Sequence, residues 1–254
     1  MQVPLNKLKR SLQAGELQHG IWLSSGSSVL AEIAGHAGFD WCLIDGEHGP
    51  NTIADMLPQL QALAISGTQA VVRIANADAW IVKQVLDLGC QTLLVPMVDD
   101  AEQARDMAQA MRYPPDGVRG MGAVLARASG FGSIKDYPHV ANGQMCLLVQ
   151  AESAKAVANI DEIAAVEGVD GVFVGPADLS ADMGYPGQPG HPEVEKAIDH
   201  VIALTVAAGK IAGIITFDES RFAEYAQKGV TFLGVGGDLA VLNDALRGLA
   251  GRLG

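Results

Sequence analysis

Charge is scarce in this 254-residue chain: Asp, Glu, Lys and Arg make up 18% of it, against roughly a quarter in an average soluble domain. Positive charge is scarcer still, with 17 Lys and Arg set against 29 Asp and Glu and a formal net charge of −12. Without a basic stripe nothing offsets repulsion from a phosphate backbone, which argues against a nucleic-acid partner. Cysteine is nearly absent as well. Three cysteines cannot build a disulfide framework, and Cys42 and Cys146 sit in apolar runs where a small hydrophobe fits. No apolar run approaches about 18 residues, so no membrane span is predicted. The first twenty residues lack the apolar stretch of a signal peptide. These absences together predict a cytoplasmic protein with no membrane partner.

What is present is core and turn. Hydrophobic residues reach 49%, and 30 glycines imply many tight turns and close backbone approaches. One phrase recurs along the chain: a short apolar run, a polar or glycine-containing turn, then an amphipathic stretch. The apolar runs fall at 20–23, 41–44, 70–74, 92–98, 145–149, 171–174, 211–216 and 231–235, each rich in Val, Ile and Leu, as strands buried on both faces should be. Helical segments are predicted at 27–37, 52–65, 78–88, 100–111, 153–165, 192–208, 219–228 and 238–250. Asp99 and Asp100 mark the start of the fourth, and Gly209 and Gly229 the ends of the sixth and seventh. Eight such units in a chain of about 250 residues predict a (β/α)₈ barrel over 1–254. An open doubly wound sheet is the rival architecture. Leu5, Leu8 and Leu12 at helical spacing add a helix at 3–15 before the first strand. The segment 112–144 is far longer than the usual connection of about 2–6 residues, so it serves either the site or a contact between copies.

In a barrel of this kind chemistry is expected where strands end. The charged residues concentrate there, with Gln150 beside them: Asp45, Glu47 and His48 after the second strand, Arg73 at the end of the third, Glu152 at the fifth, Asp178 after the sixth and Asp238 after the eighth. Glu152 and Asp178 follow adjacent strands and can share a hard divalent ion; the alternative is that each caps its own helix. Gly175-Pro176-Ala177-Asp178 can open a short helix whose free amides would take a carboxylate. Arg73 needs an anion, either a substrate oxyanion or an ion pair with Glu152 or Glu47. His48, in a glycine-flanked loop, is a general-base candidate or an ordinary surface histidine.

The stretches LIDGEHGPN (43–51), VVR (71–73), LDLGCQTLLVPMV (86–98), RYPPDGVRGMG (112–122), LLVQAES (147–153) and DGVFVGPADLSADMGYPGQPGHPEV (170–194) resemble, in order and over nearly the whole length, the HpcH/HpaI family of class II pyruvate aldolases. The resemblance is strongest to its 4-hydroxy-2-oxoheptanedioate-cleaving branch. It implies a (β/α)₈ barrel, a bound Mg²⁺, Mn²⁺ or Co²⁺, and reversible cleavage of 4-hydroxy-2-oxo acids to pyruvate and an aldehyde such as succinic semialdehyde. Oxaloacetate decarboxylation is an implied side activity. Metal ligands would be Glu152 and Asp178. His48 would be the catalytic histidine and Arg73 the enolate-stabilising arginine. Gln150 would contact substrate, and the amides at Ala177 and Asp178 would bind its carboxylate beside Gly175 and Pro176. Asp87, supplied by a neighbouring subunit, would raise the basicity of His48, with Asp45 a same-chain alternative. Trp22 and Phe217 are further substrate-contacting candidates, Phe217 as an aldehyde wall or as rim core. The family pattern also implies a homohexamer exchanging C-terminal helices over 239–253. Other readings are an aldolase for sugar-derived 2-oxo acids, a 2-oxo acid decarboxylase, a CoA-thioester lyase on the same scaffold, and a non-catalytic carboxylate-binding barrel.

Overall fold

The computed structural model describes residues 2–253. A short helix, α1 (Lys7–Gln13), precedes the strands β1 (Gln18–Leu23), β2 (Trp41–Asp45), β3 (Gln69–Arg73), β4 (Thr92–Val95), β5 (Cys146–Ala151), β6 (Gly171–Val174), β7 (Ile211–Ile215) and β8 (Val230–Gly237). Every strand pairs in parallel with its sequence neighbours, and β8 returns to β1. The barrel is closed, which settles the architecture against the open sheet. Around it run α2 (Ser28–His36), α3 (Ile53–Ser66), α4 (Ala79–Asp87) and α5 (Ala101–Ala110), then α6 (Tyr137–Val140), α7 (Ala154–Ala158), α8 (Ile160–Ala164), α9 (Pro176–Asp182), α10 (Pro192–Ala207), α11 (Phe222–Gln227) and α12 (Asp238–Ala250). No helix among the described residues is long and apolar enough to cross a membrane.

The strands are buried on both faces, as all five residues of β2 and all six of β5 illustrate. Their outward residues pack under the helices, while the inward ones fill the barrel with aromatic rings. Trp41 stacks on Phe232 with centroids 4.0 Å apart, and Trp22 meets Trp41 edge-on at 5.5 Å. Glycine makes the room: a Cβ on Gly20 would overlap the Trp41 ring, and one on Gly234 the Trp22 ring. Leu8 and Leu12 of α1 join the same interior cluster and plug its N-terminal end. All three cysteines are free and buried.

Local rules account for most boundaries. Asp100 accepts from the Gln103 amide at the start of α5, and Gly209 and Gly229 follow α10 and α11 with φ of 70° and 92°. Of the boundaries that differ from the sequence reading, three have a clear physical cause. The helix at 153–165 breaks into α7 and α8 at Asn159, whose side-chain amide donates to the Asp99 carbonyl. The fourth strand ends at Val95, because Pro96 follows it and Met97 takes a φ of 53°. The first helix begins only at Lys7, where Asn6 caps it. The long 112–144 segment is ordered around its own small core, with the fully buried Arg119 lying 4.3 Å above the Tyr113 ring.

Candidate active site

Arg73 ends β3 inside the C-terminal mouth of the barrel and is 8% exposed. A guanidinium cannot be buried unpaired, and Asp45, at the end of the adjacent β2, supplies the partner. Asp45 accepts from Nε at 2.9 Å and from Nη2 at 2.7 Å. Burial alone would raise the Asp45 pKa, but Arg73 and the amides of Glu47 and His48 hold it below the ordinary carboxylate value. Glu47 Oε2 lies 2.9 Å from Nη1 without hydrogen-bond alignment and is otherwise unpartnered. Arginine carries five N–H donors, so with Asp45 taking two of them the fork keeps N–H groups on Nη1 and Nη2 that no aligned acceptor engages. The loop around it is tightly folded. Asn51 donates to the Asp45 carbonyl at 2.7 Å, Gln59 donates to Asn51, and a Cβ on Gly49 would press into the Asn51 amide.

Glu152 follows β5 and is 2% exposed. Its Oε1 accepts from the Met97 amide at 2.8 Å, and its Oε2 from the Gln150 side chain. The strained Met97 backbone thus has a local use, since it turns an amide inward onto Glu152. Burial, followed by the nearby charges of Glu47 and Asp178, pushes the Glu152 pKa up to about 7 against the pull of the Met97 amide and Arg73. Glu47 is shifted upward too, by burial first and then by Asp45 and Asp178. Gly175 is required beside them, because a Cβ there would collide with the Glu152 carboxylate. The next residue, Pro176, opens α9 and places Asp178 in its first turn.

The donors fit a hard divalent ion. Glu152, Asp178 and the buried, unpartnered Gln150 Oε1 are all oxygens, and carboxylate crowding favours added positive charge. The protein supplies few ligands of its own. Among the described residues no group of three or more His, Cys, Asp or Glu forms a metal cluster, so water and substrate would complete such a site.

A cavity of about 300 Å³ opens beside these groups. Trp22, His48, Arg73, Gln150, Gly175, Pro176, Ala177, Asp178 and Phe217, singled out from the sequence, all line it. A larger groove of about 600 Å³ lies between α5 and α8, away from the strand ends and from every one of these residues. Size alone would select the wrong place.

One expectation needs correction, that for Asp45, and the one for Asp87 concerns a neighbouring chain. Asp45 does not orient the His48 ring; both its oxygens are engaged by Arg73, and it meets His48 only through the backbone N–H, at 3.3 Å. The buried guanidinium has the stronger claim on it. Asp87 ends α4, which runs back along the barrel, so it lies toward the end opposite Arg73 and pairs with Arg119 at 2.7 Å. Within one chain it does not approach His48, whose exposed ring has Glu47 Oε2 at 3.9 Å. Of the two ion-pair partners proposed for Arg73, Glu47 is in contact, and the chief partner, Asp45, was not among them.

The sequence reading missed Ser24, Phe173, Ile215, Gly237, Leu239 and Ala240 as cavity residues and left Asp238 without a role. Asp238 accepts from the amides of Ser24 and Ser25 at 2.9 and 3.2 Å, tying the start of α12 to the β1 loop. A charged residue closing β8 was the available signal. For the apolar ones there was none.

The chain matches the HpcH/HpaI aldolase/citrate lyase family over residues 18–245. It is 53% identical over 252 residues to a hydroxypyruvate/pyruvate aldolase of Agrobacterium fabrum, covering 99% of this chain and 95% of that one. It is 51% identical over 249 residues to a 4-hydroxy-2-oxo-heptane-1,7-dioate aldolase of Escherichia coli, covering 98% and 95%. The crystal structure of an HpcH/HpaI aldolase/citrate lyase family protein from Burkholderia cenocepacia superposes with a TM-score of 0.94 at 39% identity, covering 98% of this chain and 99% of that one. With this similarity along nearly its whole length, the chain belongs to the HpcH/HpaI aldolase/citrate lyase family and is an aldolase, a carbon–carbon lyase.

Proposed function

We propose that this protein reversibly cleaves 4-hydroxy-2-oxo acids to pyruvate and an aldehyde, with 4-hydroxy-2-oxoheptanedioate and its product succinic semialdehyde within range and oxaloacetate decarboxylation as a side activity. The observation that carries this reading is the half-open guanidinium of Arg73, facing a cavity shared with His48, Gln150 and Asp178 beside the buried Glu152. Cleavage breaks the C3–C4 bond of the substrate. The 4-hydroxyl proton leaves, C4 becomes the aldehyde carbon, and the bonding pair passes to C3 as the enolate of pyruvate, which is then protonated at C3. His48 takes the hydroxyl proton, directly or through water, and returns it in synthesis. The free donors of Arg73 stabilise the enolate oxygen, an oxyanion-hole role in a water-poor mouth. The Gln150 side chain contacts the 2-oxo acid, and the amides of Ala177 and Asp178, in the first turn of α9 where backbone N–H groups have no helical acceptor, take its carboxylate.

Glu152 and Asp178 would hold a divalent ion, Mg²⁺, Mn²⁺ or Co²⁺, which supplies Lewis-acid polarisation of the keto oxygen when bound. The active form is proposed to be a homohexamer in which Asp87 of one copy supports His48 of another and α12 is covered. The support for this is that α12 is exposed from Leu239 onward despite its apolar side chains. The direct test is pyruvate release from 4-hydroxy-2-oxoheptanedioate, followed with lactate dehydrogenase. Chelation with EDTA should abolish turnover, and Mg²⁺, Mn²⁺ or Co²⁺ should restore it. Full activity in metal-free protein, or no pyruvate release with any metal, overturns the reading.

A further inference from the structure

We infer that Arg119 is a positioning residue for the aldol site of a neighbouring copy: it tethers Asp87 by one carboxylate oxygen and leaves the other free to receive that copy's His48 ring. This rests on the proposal above that Asp87 of one copy supports His48 of another. Asp87 is the last residue of α4, where a negative charge opposes the helix dipole, so the helix gains nothing from it. The counter-charge comes from the 112–144 segment, with Arg119 Nη2 donating to Oδ1 at 2.7 Å. The Arg119 side chain is wholly buried, over the Tyr113 ring and with Nη1 3.8 Å from the Met145 sulfur. A guanidinium packed on that ring cannot follow a swinging carboxylate, so it holds Asp87 in one orientation.

This pair is built differently from the Arg73 pair. Asp45 gives both its oxygens to Arg73, the arrangement that best offsets burial. Asp87 gives only Oδ1, although the buried Nε of Arg119 has no acceptor among the described residues. A pair serving the fold alone would close that second bond. Instead Oδ2 accepts nothing among the described residues, and the Asp87 side chain stays 28% exposed. Gly122 keeps the approach clear, since a Cβ there would lie 3.1 Å from Oδ2. Neighbouring charges are turned elsewhere. Lys83, one turn back along α4, lies over Gly120, and Arg127 donates to the Leu88 carbonyl. Burial pushes the phenols of Tyr113 and Tyr137 up, the first to about 12, so neither titrates near neutrality. A carboxylate with one oxygen tethered and one free can hold an imidazole in a chosen tautomer and stabilise its protonated form.

The test follows aldol cleavage and oxaloacetate decarboxylation against pH in the metal-loaded enzyme, with oligomer mass checked by sedimentation. The variants are Asp87→Asn, Arg119→Lys, the two combined, and Gly122→Ala. Lysine keeps the charge of Arg119 but not its reach or its planar fork. Arg119→Lys should lower kcat/KM for cleavage by about ten- to a hundredfold, the scale of a lost orienting partner. It should move the acid limb of that profile to lower pH, as Asp87→Asn does, because a misplaced carboxylate no longer favours the imidazolium. Decarboxylation, with no hydroxyl proton to remove, should be spared. In the Asp87→Asn background the lysine should cost about twofold at most, since the two residues act as one unit. Gly122 is exposed and has no left-handed φ, so alanine is tolerated there. Gly122→Ala should show the same selective loss at about three- to tenfold, and it decides the matter if Arg119→Lys does not assemble. Equal loss of both reactions, an unmoved acid limb, or a full further loss in the Asp87→Asn background makes Arg119 a residue of the fold alone and overturns this inference. Normal cleavage by assembled Asp87→Asn overturns the proposed support between copies as well.

Discussion

Arg73 and His48 can be separated by their chemistry. Aldol cleavage needs both an enolate stabiliser and a base for the 4-hydroxyl, whereas oxaloacetate decarboxylation generates the same enolate with no hydroxyl proton to remove. Arg73→Ala should therefore depress both reactions mainly in kcat, by an amount equivalent to about 3–4 kcal/mol, the scale of a deleted oxyanion-hole donor. Arg73→Lys should recover little, since an ammonium cannot engage both Asp45 oxygens and the enolate. His48→Ala should lose cleavage while keeping much of the decarboxylation. Measuring both activities in both variants decides the roles, and an equal loss of the two in His48→Ala would remove His48 as the base. Asp45 permits a separate test by pH. Its folded pKa is depressed, so the stability it contributes is present above the ordinary carboxylate value and lost as pH falls through the lowered one. Asp45→Asn should be less stable at pH 7 by about 3–5 kcal/mol, because a buried guanidinium loses its anion. It should also show a flatter acid limb in denaturant unfolding across pH 2–6. An unchanged acid limb would mean that the pair is worth little to the fold.

At the level of elements, strand ends and helix caps were legible because the rules behind them are local. Burial on both faces writes short Val-, Ile- and Leu-rich runs, and Asp100, Gly209 and Gly229 mark their helices through groups next in sequence. The same rule that puts chemistry at strand ends found His48, Arg73, Gln150, Asp178 and Asp238 and the turn Gly175-Pro176-Ala177 among the cavity-lining residues. What was not legible depends on tertiary partners. The break at Asn159 reflects a hydrogen bond to Asp99, sixty residues away. The inward turn at Met97 shows its purpose only once Glu152 is in place. The choice of Asp45 over Glu152 as the chief partner of Arg73 follows from β2 and β3 being in register, Asp45 opposite Arg73. The junction of β6 and α9 offers an element-scale test. Gly175 leaves space for the Glu152 carboxylate, so Gly175→Ala must push that side chain aside while the α9 backbone keeps an ordinary φ of about −97°. Metal affinity measured by calorimetry should fall at least tenfold, with much less change in the melting temperature of the metal-free protein. Unaltered affinity would show that Glu152 can hold the ion from a different position.

For the whole molecule, the decisive feature is that a site built from one chain lacks an orienting partner for its histidine. Among the described residues the exposed His48 ring meets only Glu47, at long range, while Asp87 is held on the far side of the same barrel by the buried Arg119. The exposed apolar faces are where the proposed assembly would be built. Leu239, Val241, Leu242, Leu246 and Leu249 lie exposed along α12, and Val118, Met121, Val124, Leu125 and Phe131 along the 112–144 segment. Apolar surface on this scale marks a protein contact more often than free solvent face. If Asp87 acts on the neighbour's His48, the two residues of a working site come from different chains, and this can be read by complementation. His48→Ala and Asp87→Asn should each be severely impaired as pure oligomers. Unfolded together and refolded at equal amounts, random assembly gives about a quarter of sites an intact His48 from one chain and an intact Asp87 from the next in a closed ring of copies. Mixed protein should thus regain about that fraction of wild-type cleavage, while the two oligomers combined without dissociation should regain none. If Asp87 served its own chain, no mixed site could be whole and refolding would restore nothing. Leu242→Glu with Leu246→Glu should lower both the oligomer mass in sedimentation and the recovered activity, because separation of the copies removes Asp87 from every His48.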